Sequence, residues 1–143
     1  MKVYSAIMVF LALICANFAY AERLAISANV ANVRSGPGTQ YDIIWKVEKY
    51  HPLFIVNKSN EWYQFEDFEG DQGWVHKSLV GKIKTIITKS DISNIRSGPG
   101  TQFNVLFTVE KGIPFKVLGS QGQWINIQHA DGDQGWIHIS LVW

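Results

Sequence analysis

The stretch N-V-R-S-G-P-G-T-Q-Y at residues 32–41 returns as N-I-R-S-G-P-G-T-Q-F at residues 94–103 of this 143-residue chain. A second block, D-Q-G-W-V-H-K-S-L-V at residues 71–80, returns as D-Q-G-W-I-H-I-S-L-V at residues 133–142. Both blocks return after 62 residues, so the register is kept from one end of the unit to the other. The chain is therefore a tandem repeat of two similar units.

The first 21 residues have the pattern of a secretory signal peptide. Lys2 precedes an apolar run at residues 6–16, and residues 19–21 form an A-x-A cleavage signature. The run is too short for a permanent membrane span, and Cys15 lacks the small residues expected before a lipidated cysteine. We expect export across the inner membrane, cleavage after residue 21, and a periplasmic protein with no membrane span.

The composition of residues 22–143 limits the possible partners. This part of the chain has no cysteine, so each small unit must be held together by core packing without disulfides. It contains 12 Lys and Arg and 12 Asp and Glu, so its net charge is close to zero and neither unit has a strong electrostatic field. Nucleic acid and anionic membrane surfaces are therefore not expected partners.

The residues after each S-G-P-G-T loop predict short strands. Pro37 fixes its own φ and Gly38 can adopt a positive φ, which is typical of a loop. Further strands are predicted at residues 53–56 and 115–118, followed by polar turns at 57–61 and 119–123. Between the loop and these strands, apolar residues alternate with other residues and predict a strand with one buried face: Tyr41, Ile43, Trp45 and Val47, with counterparts Phe103, Val105, Phe107 and Val109.

The later alternation places tryptophans on the polar faces of two strands. In W-I-N-I-Q at residues 124–128, Trp124 shares the polar face, and Trp62 does the same in W-Y-Q-F-E at residues 62–66. No stretch after residue 21 has sustained helical periodicity. The pattern predicts an all-β fold of two tandem small β-barrels after a cleaved signal peptide, at residues 22–80 and 85–143, with a linker at 81–84.

These two repeated blocks resemble the bacterial SH3-like domain (SH3b), and the likeness covers nearly all of residues 22–143. The resemblance implies partly open barrels of five to seven strands that serve as targeting or binding modules for cell-wall peptides. By that likeness, G-W-V-H-K-S-L-V from Gly73 matches the segment that lines the peptide groove of eukaryotic SH3 domains, and Trp62 stands at the groove Trp. His76 and Leu79 replace a groove Pro and Tyr, so recognition of proline-rich peptides is not expected.

Trp62 and Trp124 are the leading candidates for ligand contact. An indole on a polar strand face can stack on a ligand and donate one hydrogen bond. The alternative is that each Trp folds over the barrel end and completes a small core. Four further residues can extend the same surface: Trp74, His76, Trp136 and His138. For Trp74 and Trp136, the alternative is that the side chain packs where the barrel closes.

Arg34 and Arg96 complete the set of candidate ligand-binding residues. A guanidinium can clamp a peptide carboxylate in bidentate fashion. The alternative is an ion pair inside each unit, which would fix the loop; the acids available are Glu48 or Asp71 and, in the second unit, Glu110 or Asp133.

Catalytic and metal sites are not expected. Asp71 with His76, and Asp133 with His138, fall short of the three or four ligands that a zinc site needs. The G-P-G-T loop lacks the Gly-Lys-Ser/Thr of a phosphate loop, and no Ser lies in a G-x-S-x-G elbow. We therefore predict no catalytic residue, no metal and no cofactor.

Two functions remain open. The first is a non-enzymatic exported binding module that recognises peptidoglycan or another cell-envelope peptide through the Trp-bearing barrel faces. The second is a periplasmic scaffold protein whose Trp faces bind a protein partner or each other, without wall affinity. Trp62 and Trp124 in open grooves would favour the first function, and burial of both between the two units would favour the second.

Overall fold

The computed structural model describes residues 22–143. The predicted signal peptide, with Cys15, lies outside the described residues. The described chain forms two antiparallel sheets, one for each repeat, and its only helical elements are two short 3-10 turns. This architecture confirms the prediction of an all-β fold with two tandem small units. No helix within residues 22–143 is long and apolar enough to cross a membrane.

The first repeat forms a seven-stranded sheet. Its strands are β1 (Glu22–Ile26), β2 (Val30–Arg34), β3 (Ile43–Glu48), β4 (Pro52–Ser59), β5 (Trp62–Glu66), β6 (Gln72–His76) and β7 (Val80–Gly81). In the sheet they follow the order β3, β2, β6, β5, β4, β1, β7. A 3-10 turn at Lys77–Leu79 joins β6 to β7.

The second repeat forms a six-stranded sheet with the same plan. Its strands are β8 (Thr85–Ile87), β9 (Ile92–Arg96), β10 (Val105–Glu110), β11 (Pro114–Gln121), β12 (Trp124–Gln128) and β13 (Gln134–His138). Their order is β10, β9, β13, β12, β11, β8, and a 3-10 turn at Ile139–Leu141 follows β13. The bridge between Thr88 and Val142 takes the place of the β1–β7 pairing of the first repeat.

Each sheet packs around its own apolar core. Phe65 and Phe115 are the largest fully buried side chains, but they lie on β5 and β11 and thus at different positions of the repeat. The two units therefore share a backbone plan and fill it with different side chains. The first core contains Leu24, Ile26, Ala31, Val33, Val47, Leu53, Ile55, Phe65 and Val75, and the second contains Ile86, Ile95, Phe115, Ile127, Ile137 and Val142.

The strand after each loop is less buried than its alternation predicts. Val47 is buried and Trp45 is half-buried, but Tyr41 and Ile43 are 41% and 46% exposed. The register between β2 and β3 shifts next to Arg34, and this irregularity turns the start of β3 away from the core. The prediction of one continuous buried face is therefore wrong at Tyr41 and Ile43. It is wrong in the same way at their exposed counterparts in the second repeat, Phe103 and Val105.

Strands β4 and β11 are longer than predicted. They run to Ser59 and Gln121, so the expected polar turns at 57–61 and 119–123 are reduced to two residues each. Register shifts after Ile55 and Val117 absorb an extra residue and let polar residues continue the strand. Each short turn contains a residue with positive φ, Asn60 in one repeat and Gly122 in the other.

The first glycine of the S-G-P-G-T loop is needed for space. A Cβ on Gly36 would collide with the ring of Tyr41, and Gly98 meets Phe103 in the same way in the second loop. A Cβ on Gly38 would meet only the flexible end of the Gln40 side chain, which can move aside. Gly38 does not have a positive φ, so the freedom that glycine offers there is not used.

The two repeats contact each other through Arg23. One Nη of Arg23 donates hydrogen bonds to the carbonyl oxygens of Thr85 and Trp143, at 2.9 and 3.0 Å. The guanidinium lies 4.7 Å from the ring centroid of Trp143 and 5.6 Å from that of Phe54. The Trp143 ring also meets Phe54 edge-on at 4.7 Å and lies 6.3 Å from Phe68. We call this set of contacts the junction.

The junction is built from residues at which the two repeats differ. At a spacing of 62 residues, Arg23 corresponds to Thr85, Phe54 to Lys116, Phe68 to Ala130 and Trp143 to Gly81. These exchanges change charge, ring or size at each position. The junction therefore has no equivalent elsewhere in the repeat pattern.

Candidate ligand-binding face

Strands β2, β6 and β5 place the predicted ligand-binding residues of the first repeat on one outward surface. Trp62 lies opposite His76, and Gln64 lies opposite Trp74, across the β5–β6 pair. Arg34 lies opposite Trp74 across the β2–β6 pair. Paired residues, and alternate residues along a strand, share a face of the sheet. We call this surface, with its counterpart in the second repeat, the Trp face.

The second repeat builds the same surface on β9, β13 and β12. Trp124 lies opposite His138, Asn126 opposite Trp136, and Trp136 opposite Arg96. All eight predicted residues are half-buried, so each is packed on one side and reachable on the other. The structure therefore brings together the full predicted set: Arg34, Trp62, Trp74 and His76 in one repeat, and Arg96, Trp124, Trp136 and His138 in the other.

The histidines of the Trp face cap the 3-10 turns that follow them. The backbone N–H of Ser78 donates to Nδ1 of His76 at 3.2 Å, and the Ser78 hydroxyl lies 2.7 Å from the same nitrogen. Because Nδ1 accepts, the ring proton of the neutral imidazole lies on Nε2. The ring meets Trp62 edge-on at 5.2 Å, and His138, Ser140 and Trp124 reproduce the arrangement. Each indole is therefore held beside an imidazole whose tautomer is set by the turn.

The arginines of the Trp face bind backbone carbonyls of the adjacent loop. Nη1 of Arg34 donates to the carbonyl oxygens of Thr39 and Tyr41, at 3.1 and 2.9 Å. Nη1 of Arg96 makes the two equivalent bonds in the second repeat, at 3.2 and 3.0 Å. The guanidinium thus fixes the S-G-P-G-T loop through one of its three nitrogens.

The expected ion pairs of these arginines are not formed. Among residues 22–143, side-chain ion pairs join Lys58 to Glu22, Lys77 to Glu61, and His129 to Asp131. The prediction that Arg34 pairs with Glu48 or Asp71, and Arg96 with Glu110 or Asp133, is therefore wrong. The loop carbonyls bind the guanidinium in place of these carboxylates because each Arg is adjacent to its loop in sequence. The remaining N–H groups of each guanidinium keep their capacity to bind a carboxylate.

A cavity of about 260 Å³ opens on the Trp face of the second repeat. Arg96, Trp124 and His138 line it together with Thr101 and Leu141. The side chains that carry an indole, a guanidinium and an imidazole therefore line one shared space.

Sequence reasoning missed the residues that hold this arrangement in place. Ser78 and Ser140 orient the histidines, and the Thr101 carbonyl helps to orient Arg96. The signal was present as the repeated H-x-S spacing, in which the Ser N–H lies at the start of the turn after the strand. Such a spacing is typical of a side-chain cap.

The Asp and His residues considered for acid/base or metal chemistry are not close together. Asp71 precedes β6 and His76 ends it, so they are separated by about 16 Å at the rise of an extended strand. Within the described residues, no three side chains of His, Cys, Asp or Glu are grouped as a metal site requires.

Comparisons with known proteins agree with the repeat. The family model of the bacterial SH3 domain matches residues 27–82 and again residues 89–143. The chain is 31% identical over 128 residues to the putative N-acetylmuramoyl-L-alanine amidase YrvJ of Bacillus subtilis, covering 82% of this chain and 24% of the amidase. It is 36% identical over 52 residues to the probable cell wall amidase LytH of Staphylococcus epidermidis, covering 36% of this chain and 18% of LytH. The chain thus spans about a quarter or less of these relatives.

Among solved structures, NlpC2 from Trichomonas vaginalis superposes with a TM-score of 0.39 and 13% identity, covering 86% of this chain and 48% of that one.

Proposed function

Because this chain belongs to the bacterial SH3 domain family in both of its repeats, we propose that it is an exported, non-enzymatic binding protein that recognises peptidoglycan or another cell-envelope peptide. Recognition takes place on the Trp face of each repeat, and the protein acts in the periplasm. The observation that carries the proposal is the convergence of Arg96, Trp124 and His138 on one cavity.

The chemistry of the Trp face suits a peptide ligand with free carboxylates. The indole offers a flat apolar surface, and the imidazole Nε2–H and the unused guanidinium donors can meet oxygen acceptors. Arg96 is already oriented by the loop carbonyls, so little side-chain entropy is lost when a ligand binds.

The names of the relatives support a cell-wall ligand. YrvJ and LytH are described as amidases, one of N-acetylmuramoyl-L-alanine and one of the cell wall. This chain matches only part of each, and the matching family model is that of the bacterial SH3 domain. Binding without catalysis is the function that fits this shared part.

A scaffold function is the second candidate, and the edge strands favour it. Strands β3 and β10 lie at the edges of their sheets and carry exposed aliphatic side chains, among them Ile44 at 46% and Leu106 at 53% exposure. Unpaired edges with apolar side chains can pair with a protein partner. The ring contacts of Trp62 and Trp124 are with histidines of their own repeats, which favours the first candidate.

Sedimentation with purified insoluble peptidoglycan tests the proposal. We expect the wild-type protein to co-sediment at roughly tens of micromolar, the weak limit for a useful module, and Trp62→Ala/Trp124→Ala to stay in the supernatant. The matched control, Ile44→Ala/Leu106→Ala, changes exposed residues at equivalent positions outside the Trp face and should sediment like wild type. Circular dichroism checks that both variants are folded.

Two results would contradict wall recognition through the Trp face. Wild-type protein that remains soluble with peptidoglycan would remove wall binding. Sedimentation that is lost in the Ile44→Ala/Leu106→Ala variant and kept in the Trp variant would move the wall-binding surface from the Trp face to the sheet edges.

A further inference from the structure

Each repeat has a cavity outside the Trp face. In the second repeat it measures about 510 Å³ and meets the cavity of the Trp face only at Ile92. Its floor is apolar and includes Phe107, Ile113 and the fully buried Phe115. We call this cavity, with its counterpart in the first repeat, the acidic cleft, because the rest of its wall carries the carboxylates of Glu110, Asp131 and Asp133.

The first repeat has an acidic cleft at the corresponding positions. It measures about 560 Å³. Trp45 and Val47 correspond to Phe107 and Val109 of the second repeat. The carboxylates come from Glu48, Asp67, Glu69 and Asp71, three of which correspond to the acids of the second repeat. Lys46 also lines this cleft, and Oδ1 of Asp67 accepts the backbone N–H groups of Glu69 and Asp71. The combination of apolar floor and acidic rim therefore occurs twice at a spacing of 62 residues, although the side chains differ.

The rim carboxylates are available to a ligand. In the described part of the chain, the side chain of Glu110 accepts no hydrogen bond, and neither Glu110 nor Asp133 forms an ion pair. Asp131 accepts the backbone N–H of Asp133 at 2.9 Å and lies 3.1 Å from Nδ1 of His129. The N–H of Asp133, followed by His129, lowers the pKa of Asp131, so this carboxyl is charged at neutral pH. No Lys or Arg lines the cleft of the second repeat.

His51 marks the cleft of the first repeat independently. It lines the cleft, is only 9% exposed, and its Nε2 has no hydrogen-bond partner. Buried polar atoms without a partner are uncommon in folded proteins, and a ligand in the cleft is one way to satisfy this nitrogen. Ile113 occupies the equivalent position in the second repeat, so the imidazole is not required by the fold.

We propose that each acidic cleft binds a peptide side chain that has an aliphatic stem and a terminal ammonium group, as lysine has. The stem lies on the apolar floor, where it is shielded from water, and the ammonium reaches the rim. The three N–H donors of the ammonium match the rim carboxylates, whose oxygens are only partly used by bonds within the described chain. The proposal does not rest on wall binding, because it uses a different surface of each repeat.

An NMR titration with two matched probes tests this site. N-acetyl-lysine methylamide has the stem and the ammonium, whereas N-acetyl-norleucine methylamide has the stem alone. We expect the lysine probe to shift the Ile113 methyl and Asp133 amide signals saturably, and the norleucine probe to bind roughly five- to tenfold more weakly. The difference should shrink with added salt, because the rim is exposed.

Variants of the rim separate charge from shape. Glu110→Gln/Asp133→Asn keeps side-chain size, leaves Asp131 as the one rim carboxylate and should lower the preference for the lysine probe in the second repeat. Glu22→Gln/Glu61→Gln removes the same charge outside both acidic clefts and should behave as wild type. Equal shifts from both probes in wild type, shifts centred on Trp124, or full lysine binding in the Glu110→Gln/Asp133→Asn variant would overturn the proposal. None of these results depends on the outcome of the peptidoglycan experiment.

Discussion

Arg34 and Arg96 each combine a structural contact with unused binding capacity. One terminal nitrogen holds two carbonyls of the neighbouring loop, and the other donors of the guanidinium have no protein acceptor in the described chain. Lysine could not do both, because its ammonium is a single point of charge without the planar fork. The repeated Arg is therefore explained by the loop and remains available to the Trp face.

His51 is the residue whose protonation affects stability most directly. Burial lowers the pKa of this imidazole, and the nearby charge of Asp67 opposes that effect in part. A folded-state pKa below the usual 6.5 means that the unfolded chain binds the proton more readily. Stability is therefore lost as pH falls through about 6.5 towards the lower folded-state pKa, and it is regained above that range.

His51→Ile should remove this pH dependence. Isoleucine occupies the equivalent position, 113, in the second repeat, so the exchange suits the fold and also removes the unpaired Nε2. We expect the variant to be at least as stable as wild type at pH 7.5 and to lose less of its melting temperature on acidification to pH 5.5. Thermal denaturation followed by circular dichroism across this range measures both. A wild-type melting temperature that is unchanged between these pH values would contradict the assignment.

At the scale of the element, the S-G-P-G-T loop depends on contacts that a side chain at glycine would block. The aromatic ring at position 41 or 103 lies directly on the glycine at 36 or 98. This contact also explains why Tyr41 and Phe103 are retained as aromatic residues although they are exposed to solvent by about two fifths.

Gly36→Ala and Gly98→Ala should each destabilise their repeat by about 1–3 kcal/mol, because the added methyl forces the ring out of place. Gly119→Ala is the matched control: it lies in β11, has no atom within 4 Å of the place that the added methyl would take and has no positive φ, so its effect should stay within about 0.5 kcal/mol. Urea denaturation measures the free energies. Equal losses at all three positions would contradict the ring contact as the cause, because the lower backbone entropy of the unfolded chain makes Gly→Ala stabilising where no clash occurs.

The elements also show what the sequence could predict. Period-two alternation identified the strands that carry Trp62 and Trp124. The two repeated blocks singled out Arg34 and Arg96, and each of these lies on the Trp face of its own repeat. Strict alternation assumes an unbroken register, however, and the shift between β2 and β3 exposes Ile43. Strand lengths were underestimated because polar residues of β4 continue the ladder after an irregularity.

The residues of the candidate site could be predicted from the sequence, but the hydrogen bonds that they form could not. Composition and spacing identify an Arg, a Trp and a His on one face, but they do not say whether Arg34 meets a carboxylate or a carbonyl. The acidic cleft escaped notice because its residues come from separate segments, as Glu110 and Asp133 do, and no local motif joins them.

For the whole molecule, the junction holds the two repeats as one body. Arg23→Ala/Trp143→Ala removes two hydrogen bonds and the ring contacts, and should leave both cores folded. We expect ¹⁵N relaxation to give one correlation time for both repeats in wild type and shorter, separate values in the variant. Lys58→Ala is the control, because it breaks an exposed ion pair with Glu22 inside the first repeat. Identical relaxation in the variant and wild type would show that the junction does not fix the repeats.

The asymmetry of the junction also limits the number of units that can stack. The first repeat offers the rings of Phe54 and Phe68, and the second offers Trp143. A third unit placed in the same manner on the second repeat would meet Lys116 and Ala130, and one placed before the first would meet Gly81. The same contact is thus made once between these two repeats, and the residues at its equivalent positions do not offer it to a third unit of the same kind.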